Sequence, residues 1–373
     1  MHKNITYTPG LYKIYDEIIV NAADNKQRDP TMDRIEVTIN PDDNSIRIWN
    51  NGKGIPIAMH AEHKIYVPEL IFGNLLTGSN FDDDEEKTTG GRNGYGAKLA
   101  NIFSTEFIVE TADSSRGLKY KQTFRDNMGV KGTPDITKYT GKDFTCVTFY
   151  PDLTRFKMVC MDEDIVALFC KRAYDIAATN TAAGSKLNVY LNGNKIETRN
   201  FESYIAIHQG LDSVVGFEKV NDRWEIGVGI SDGTFTQVSY VNSICTSKGG
   251  CHVNYIADQI TKKLEPIVKK KNKGQEVKPN QIKNHLSIFV NALITNPAFD
   301  SQTKENLTTK ISSFGSTCVV TDRLIKQVLI DLLTHWLTHS LPHWPTHSLA
   351  YSLLLTHSLT YSLIKTVGEE QLD

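Results

Sequence analysis

The sequence predicts an α+β fold, and the prediction rests on a helix pattern, a strand pair and a mixed layer. Near the start, apolar residues recur at helical spacing, at Leu11, Ile14, Ile18 and Ala22. Residues 35–39 and 46–48 alternate between apolar and polar side chains, and the polar turn at 41–44 joins them, which is typical of two paired strands. Residues 224–293 indicate a second α+β layer.

The 373 residues are enough for two domains and a tail. We assign residues 1–194 to the first domain, which ends with a helix at 162–180 and a hairpin turn at Asn192-Gly193. We assign 195–330 to the second domain. Its predicted elements are strands at 224–230, 237–241 and 285–293 and a helix at 253–270.

The bulk composition is that of a soluble globular protein, and its net charge of −2 excludes a global basic field that would attract nucleic acid. Any contact with DNA must therefore be local. The first residues do not form a signal peptide, and the six cysteines contain no C-x-x-C pair, which favours reduced intracellular thiols. A zinc site at Cys245, Cys251 and His252 has poor spacing and lacks a fourth ligand.

The glycine-rich run at residues 90–98 is the most informative segment. Its four glycines allow a close backbone approach to a ligand, and a predicted helix begins directly after them. Free N–H groups at such a junction attract a phosphate, and Lys98 adds a positive charge. The spacing matches neither a Walker A loop nor the Rossmann fingerprint, so by itself the run predicts only phosphate binding.

Polar residues at two other places fit a nucleotide. Glu17 and Asn21 are four positions apart on one face of the first helix, where a carboxylate can take a proton from water and an amide oxygen can hold a cation. The same spacing is also typical of a solvated polar stripe. Asn50 stands at a strand end before Gly52 and Gly54, where an amide can read a base and glycines leave space for a flat ring; an ordinary turn is the alternative.

A lysine cluster lies at the end of the predicted helix at 253–270, at Lys269, Lys270 and Lys271. Clustered lysines suit phosphate contacts that do not read bases. A solvated helix end, stabilised by the helix dipole, is the alternative.

The segment 331–373 differs in character, because Thr-His-Ser-Leu or a close variant recurs in it. The codons ACT-CAC-TCA-CTC spell these residues and also repeat one four-base unit, so the tail is similar to translated tetranucleotide repeat and is predicted to be non-native or disordered. Prolines interrupt its histidine stripe, and its Thr, Ser, His and Pro content argues against a membrane span.

The order of these pieces resembles the ATP site of the GHKL superfamily, and longer strings resemble the eukaryotic type II DNA topoisomerase family within it. These strings are residues 9–14, 25–30, 48–56, 89–98, 243–250 and 299–306. The resemblance runs from about Ile5 to about Lys326. It implies a Bergerat-type ATP-binding α/β sandwich followed by a transducer domain of the α+β class.

The resemblance also implies roles for single residues. Glu17 would be the general base, Asn21 would hold Mg²⁺, and Asn50 would bond the adenine amino group of ATP. The other implied ATP contacts are Gly52, Gly54, Thr77, Gly78, Ser79, Asn80, Gly91, Arg92, Asn93, Gly94, Tyr95, Gly96, Ala97, Lys98, Thr145, Gln302, Thr303 and Lys304. Gly78 stands where the family has Ser, which removes one hydrogen bond worth on the order of 1 kcal/mol.

Within that family, Gln302 and Lys304 would reach the terminal phosphate from the second domain, and the lysines at 269–271 would contact double-stranded DNA. The resemblance implies a nuclear enzyme that forms a homodimer and relaxes DNA by strand passage driven by ATP. The 302–304 loop and the lysine cluster disfavour a chaperone or a histidine kinase. The family's TOPRIM region, DNA-cleaving domain and N-terminal arm are not matched, so the alternative is a catalytically incomplete fragment that binds only nucleotide or DNA.

Overall fold

The computed structural model describes residues 4–75, 88–89, 95–180, 187–198, 200–209, 216–231, 233–271 and 276–329. Three groups of predictions lie outside the described residues: the nucleotide contacts at 77–80, those at 91–94, and the tail at 331–373.

Seven α-helices and sixteen strands have both ends within the described residues. The helices are α1 (Pro9–Arg28), α2 (Val67–Gly73), α3 (Gly96–Ile102), α4 (Glu163–Thr179), α5 (Phe201–Gln209), α6 (Cys251–Lys271) and α7 (Pro279–Lys283). The strands are β1 (Arg34–Asn40), β2 (Ser45–Asn50), β3 (Ser104–Asp113), β4 (Leu118–Arg125), β5 (Val130–Lys131), β6 (Asp135–Lys138), β7 (Phe144–Pro151), β8 (Asn188–Leu191), β9 (Asn194–Lys195), β10 (Gly216–Asn221), β11 (Trp224–Ile230), β12 (Thr236–Val241), β13 (Ile244–Cys245), β14 (Gly249–Gly250), β15 (Leu286–Ala292) and β16 (Asn306–Leu307).

The first sheet has nine strands in the order β5-β4-β3-β7-β2-β1-β8-β9, with β6 paired to β4. One face packs on α1 and α4, because alternate side chains of β1 and β2 are buried. Asn50 belongs to the buried set of β2, and the antiparallel register places it opposite Thr145 of β7. The sheet therefore brings these two predicted contacts side by side on its helix-covered face.

The second sheet has five strands in the order β10-β11-β15-β12-β13. Every residue of its central strand β15 is buried, and α6 contributes Val253, Ile256 and Leu264 to the same core. A short parallel pair, β14 with β16, holds residues 249–250 beside 306–307. This pairing anchors the loop that carries Gln302 and Lys304.

The described elements agree with most of the sequence-based segments. β11 has the predicted bounds, and α4 begins one residue after the predicted 162 because the Asp162 side chain accepts a hydrogen bond from the Ile165 N–H, which makes it the N-cap. β3, β4, α2 and α5 are further elements that the sequence-based segments do not include. The two sheets share no strand, since β9 ends the first at Lys195 and β10 begins the second at Gly216; the domain boundary at 194/195 stays a prediction.

Within the described part of the chain, no helix combines the length and the apolar character that a membrane span requires.

Candidate functional site

Glu17 lies in the middle of α1 with 4% of its surface exposed, and two lysines share one of its oxygens. Lys13 Nζ lies 2.9 Å and Lys304 Nζ 3.0 Å from Glu17 Oε1. Burial by itself would raise the pKa of Glu17, but the charges of Lys304 and Lys13 outweigh it and hold the pKa below its ordinary value. The carboxylate is therefore ionised at neutral pH, as a general base must be.

The other oxygen, Oε2, faces the first residue of α3. A Cβ atom added at Gly96 would lie 2.0 Å from Glu17 Oε2 and 2.6 Å from its Cδ. Only glycine lets the start of α3 approach the carboxylate this closely. With Oε1 held by the two lysines, Oε2 is the atom that faces Gly96 at the start of α3.

Asn21 is one helical turn beyond Glu17 and is exposed. Its amide oxygen is a hard donor of the kind that Mg²⁺ accepts alongside water and phosphate oxygens. Among the described residues, no group of three His, Cys, Asp or Glu side chains is arranged to hold a metal ion by itself. A single amide oxygen is compatible with Mg²⁺, which is usually held by one or two protein oxygens together with phosphates and water.

Asn50 is buried, and both lone pairs of its amide oxygen are used. Its Oδ1 accepts hydrogen bonds from Asn25 Nδ2 at 2.9 Å and from the Gly52 N–H at 3.2 Å. Its Nδ2 lies 3.5 Å from the Thr145 carbonyl. In this orientation the side chain keeps donor capacity for an adenine ring nitrogen, whereas the resemblance implied a bond to the adenine amino group.

The glycines after Asn50 lie against protein on the side where a side chain would project. A Cβ at Gly54 would lie 1.7 Å from the Ala112 carbonyl oxygen, and one at Gly52 would lie 2.5 Å from Asn25 Nδ2. On that side of each residue the neighbour is protein. These two glycines therefore allow the segment after β2 to pack against β3 and α1.

Lys98 is in the first turn of α3 and is almost completely buried, with 1% of its surface exposed. This burial lowers its pKa to about 8. Of its predicted neighbours, Ala97 is buried and Tyr95 is the N-cap of α3. Since α3 has only seven residues, Lys98 is a stronger attraction for an anion than the helix dipole.

The loop before β16 brings one of its three predicted contacts to Glu17. Lys304 is buried with a φ of +60°, and its N–H donates to the Ser301 carbonyl in a tight turn. Gln302 is exposed, and Thr303 Oγ1 donates to Glu305 Oε2 at 3.0 Å. Lys248 Nζ holds the same Glu305 oxygen at 2.9 Å, which ties the loop to the segment before β14.

The lysine cluster lies at the end of α6, where Lys269 and Lys270 are exposed. Lys269 Nζ pairs with Glu276 Oε1 at 3.1 Å. The side chain of Lys271 lies outside the described residues. The position at a helix end agrees with both interpretations, phosphate contact and solvated cation.

Sequence reasoning missed two side chains of the site. Lys13 contacts Glu17 from one turn earlier in α1, and its spacing of four residues was a usable signal. Asn25 contacts Asn50 across 25 positions, and only the packing of α1 on β2 shows that contact.

Comparison with known proteins gives two family matches that follow one another along the chain. Residues 6–155 match the family described as histidine kinase-, DNA gyrase B- and HSP90-like ATPases. Residues 185–335 match the family described as DNA gyrase B.

Whole proteins and solved structures agree with these matches. DNA topoisomerase 2-alpha of Sus scrofa is 55% identical over 336 residues, which are 88% of this chain and 22% of that protein. The ATPase region of Saccharomyces cerevisiae topoisomerase II superposes with a TM-score of 0.85 at 51% identity, covering 91% of this chain and 88% of that structure. The ATPase and transducer domains of DNA topoisomerase II from Balamuthia mandrillaris give 0.84 at 49% identity, covering 90% and 87%.

The chain spans about a fifth of the length of the curated relatives it matches. It covers nearly all of the yeast ATPase region, at an identity far above what a shared fold alone requires. The chain therefore belongs to the DNA topoisomerase II family, and it has the GHKL ATPase fold of that family's ATPase region.

Proposed function

We propose that this chain binds ATP and hydrolyses it, with Glu17 as the general base. The main support is the contact of Glu17 with Lys304, because it joins a buried carboxylate of the first sheet's helix layer to a cation from the second sheet's side. Oε2 is the oxygen left to take a proton from the attacking water. Phosphoryl transfer to water depends on positioning and charge neutralisation more than on covalent help.

In this proposal, ATP lies between Asn50 and the start of α3. Asn50 and Thr145 contact the adenine, and Lys98 and the glycine-rich segment at 91–96 hold the phosphates. Residues 77–80 contact the ribose and phosphates, and Gln302, Thr303 and Lys304 meet the terminal phosphate from the other side. The support is the register of β2 with β7 and the position of Lys98 in α3.

A Mg²⁺ ion bound through Asn21 belongs to the same proposal. When bound, it would neutralise charge on the phosphates. The residues of this chain do the rest: Asn21 orients the ion, Lys98 offsets phosphate charge, and Glu17 holds the water's proton at Oε2.

At the level of the longer protein, we infer an ATP-operated gate. Nucleotide binding would bring two copies together as a homodimer around double-stranded DNA, and hydrolysis would reset the gate after strand passage. Lys269, Lys270 and Lys271 would contact DNA phosphates, and the eukaryotic relatives favour the nucleus as the location.

The test is ATP turnover by the chain with Glu17→Gln. This change keeps the shape of the side chain and removes the base, so turnover should fall at least about a hundredfold, while binding of a non-hydrolysable ATP analogue stays within about threefold. Glu106→Gln, which loses only an exposed pair with Arg125, is the matched control and should retain full turnover.

Equal turnover in the Glu17→Gln variant and the parent would overturn the assignment of the base. Analogue binding without any turnover in the parent chain would favour the alternative, a fragment that only binds nucleotide.

A further inference from the structure

A buried network of ion pairs and hydrogen bonds connects the second sheet to α1, the helix that carries Glu17. Its central residue is Arg172 of α4, which has no exposed surface. Arg172 Nη2 donates to the Ser243 carbonyl, and Nε donates to Asp16 Oδ1 at 2.7 Å. A single guanidinium therefore joins the turn between β12 and β13 to α1.

The network continues along α1 from Asp16 to Glu17 and ends at Lys304, which comes from the same part of the polypeptide as the second sheet. Lys13 Nζ bridges Asp16 Oδ2 at 3.0 Å and Glu17 Oε1 at 2.9 Å. Lys304 Nζ then meets Glu17 Oε1 at 3.0 Å. Ser243 and Lys304 both belong to the part of the chain that builds the second sheet, so the contacts hold α1 at two points.

The Ser243 end of this network is a well-held anchor. Asn242 is completely buried, its Nδ2 donates to the Ile294 carbonyl at 2.9 Å, and its Oδ1 accepts from the Ile294 N–H at 2.8 Å. Both Asn242 and Ser243 have positive φ values, of 50° and 63°, and the Ser243 carbonyl of this turn is the acceptor that Arg172 reaches. The carbonyl is thus placed by the backbone rather than by a mobile side chain.

Arginine suits this position better than lysine for a geometric reason. Its planar fork presents Nε and Nη2 in fixed directions, whereas an ammonium on a flexible stem has no fixed donor directions. The Asp16 carboxylate keeps its charge despite burial, which alone would raise its pKa, because Lys13 and Arg172 lower that pKa well below the ordinary value.

We propose that Arg172 is a positioning residue for the hydrolysis proposed above. By holding Asp16 against the Ser243 carbonyl, it sets the position of α1 relative to the second sheet at which Lys304 reaches Glu17. The expected effect of Arg172 on turnover rests on the proposed function. The expected effect of Arg172 on the position of Lys304 does not depend on turnover.

A purely structural role for Arg172 is separable, because the same interface carries a second polar network. Asp175 of α4 accepts from Tyr204 Oη at 2.6 Å and from Lys171 Nζ at 2.9 Å, and Tyr204 Oη lies 2.8 Å from Tyr240 Oη. None of these bonds reaches Asp16. The two networks meet at Asp175, because Arg172 Nη1 lies 3.8 Å from Asp175 Oδ2. Tyr204→Phe removes only the bond to the other oxygen, Oδ1, and leaves Oδ2 with Lys171 and Arg172, so it loosens the interface while the bonds of Arg172 to Asp16 and Ser243 stay in place, and it is the matched control.

The experiment compares Arg172→Lys, Asp16→Asn and Tyr204→Phe in the full chain by hydrogen exchange and by kinetics. Amide exchange of residues 301–306 should become at least about threefold faster in Arg172→Lys and Asp16→Asn, and stay unchanged in Tyr204→Phe. For ATP turnover, kcat should fall about tenfold in the first two variants, with KM and analogue binding within about twofold. In a Lys304→Met background, Arg172→Lys should lower kcat no further, because both changes break one unit.

Unchanged amide exchange at 301–306 in both Arg172→Lys and Asp16→Asn would overturn the proposal. An equally large increase of this exchange in Tyr204→Phe would also overturn it. So would losses of kcat from Arg172→Lys and Lys304→Met that multiply fully in the double variant. If Arg172→Lys does not fold, Asp16→Asn decides by the same readouts, since its side chain keeps the shape. If the parent chain shows no turnover, the proposed function fails while the exchange result still decides the positioning role.

Discussion

Lys304 Nζ lies 3.0 Å from Glu17 Oε1, although 287 positions of sequence separate the two residues. Both side chains are buried, with 10% of the Lys304 side chain and 5% of the Glu17 side chain exposed. Since the lysine comes from the loop before β16 and the carboxylate from α1, the contact joins the helix layer of the first sheet to the loop that the β14–β16 pair anchors. It makes the charge state of the predicted base depend on how the two halves fit together.

Replacement of Lys304 by methionine should lower ATP turnover on the order of a hundredfold or more, because it removes a buried cation from the carboxylate and from the proposed phosphate position. Stability should fall by about 2 kcal/mol, less than for an isolated buried pair, since Glu17 keeps Lys13. Steady-state turnover and urea denaturation measure the two effects. Lys119→Met, which loses a half-exposed pair with Glu110, is the control and should change neither; unchanged turnover in Lys304→Met would contradict the assignment.

Gly96→Ala should impair both folding and function, because its Cβ would meet Glu17 Oε2 at 2.0 Å. Glu17 cannot move aside without leaving Lys13 and Lys304, so we expect a loss of about 1–3 kcal/mol, as in other overpacked sites, and a loss of turnover. Thermal denaturation checks the first effect. In a Glu17→Ala background the clashing carboxylate is gone, so Gly96→Ala should cost less stability there than it costs in the parent chain. An alanine at 96 with parental stability and turnover would be incompatible with this packing.

Nucleotide affinity should fall as the pH rises above 8, because burial lowers the pKa of Lys98 to about 8. Below that pH the lysine is charged and attracts phosphate; above it, binding must first restore the proton, which weakens affinity by up to about tenfold per pH unit. Equilibrium binding of a fluorescent ATP analogue between pH 7 and pH 9.5, at constant ionic strength, measures the slope. Lys98→Met should bind more weakly at pH 7 and show a flatter profile. An identical slope in both proteins would assign the titration to another group.

His252 should make the fold sensitive to acid. The side chain is completely buried, its Nε2 lies 3.2 Å from Thr246 Oγ1, and burial lowers its pKa from 6.5 to about 3. Below pH 6.5 the unfolded chain binds a proton that the folded chain does not, so stability is fully present above pH 6.5 and is lost toward pH 3, by up to about 1.4 kcal/mol per pH unit. Urea denaturation at pH 7, 6 and 5 should show a flatter profile for His252→Gln. Parallel profiles would refute this role.

Much of the local structure could be predicted from the sequence. The period of the apolar residues in α1, the alternation in β1 and β2, and the acidic N-cap before α4 are local signals, and the elements appear where these signals place them. β3 and β4 also alternate, with buried Phe107, Val109, Tyr120 and Phe124. The sequence therefore contains a strand signal for both of them, although they were not predicted. α5 likewise begins after Asn200, whose Oδ1 accepts from the Ser203 N–H at 2.8 Å.

In the candidate site, the sequence predicts some features and leaves others to the tertiary structure. The placement of Glu17 and Asn21 on one helix follows from their spacing, and the glycine at 96 was part of a readable motif. The sequence could not predict that Asn50 Oδ1 accepts two hydrogen bonds, because one of the donors is Asn25, which reaches Asn50 only when α1 packs on β2.

The sequence by itself determined which residues form α1, β1, β2 and α4 and where glycine is tolerated, because helix period, strand alternation and backbone freedom are local properties of the chain. Tertiary structure alone decided that Lys304 meets Glu17 and that Arg172 joins Asp16 to Ser243. These contacts exist only where two separately built sheets pack together, and Coulomb interactions between buried charges depend on distances that sequence separation does not encode.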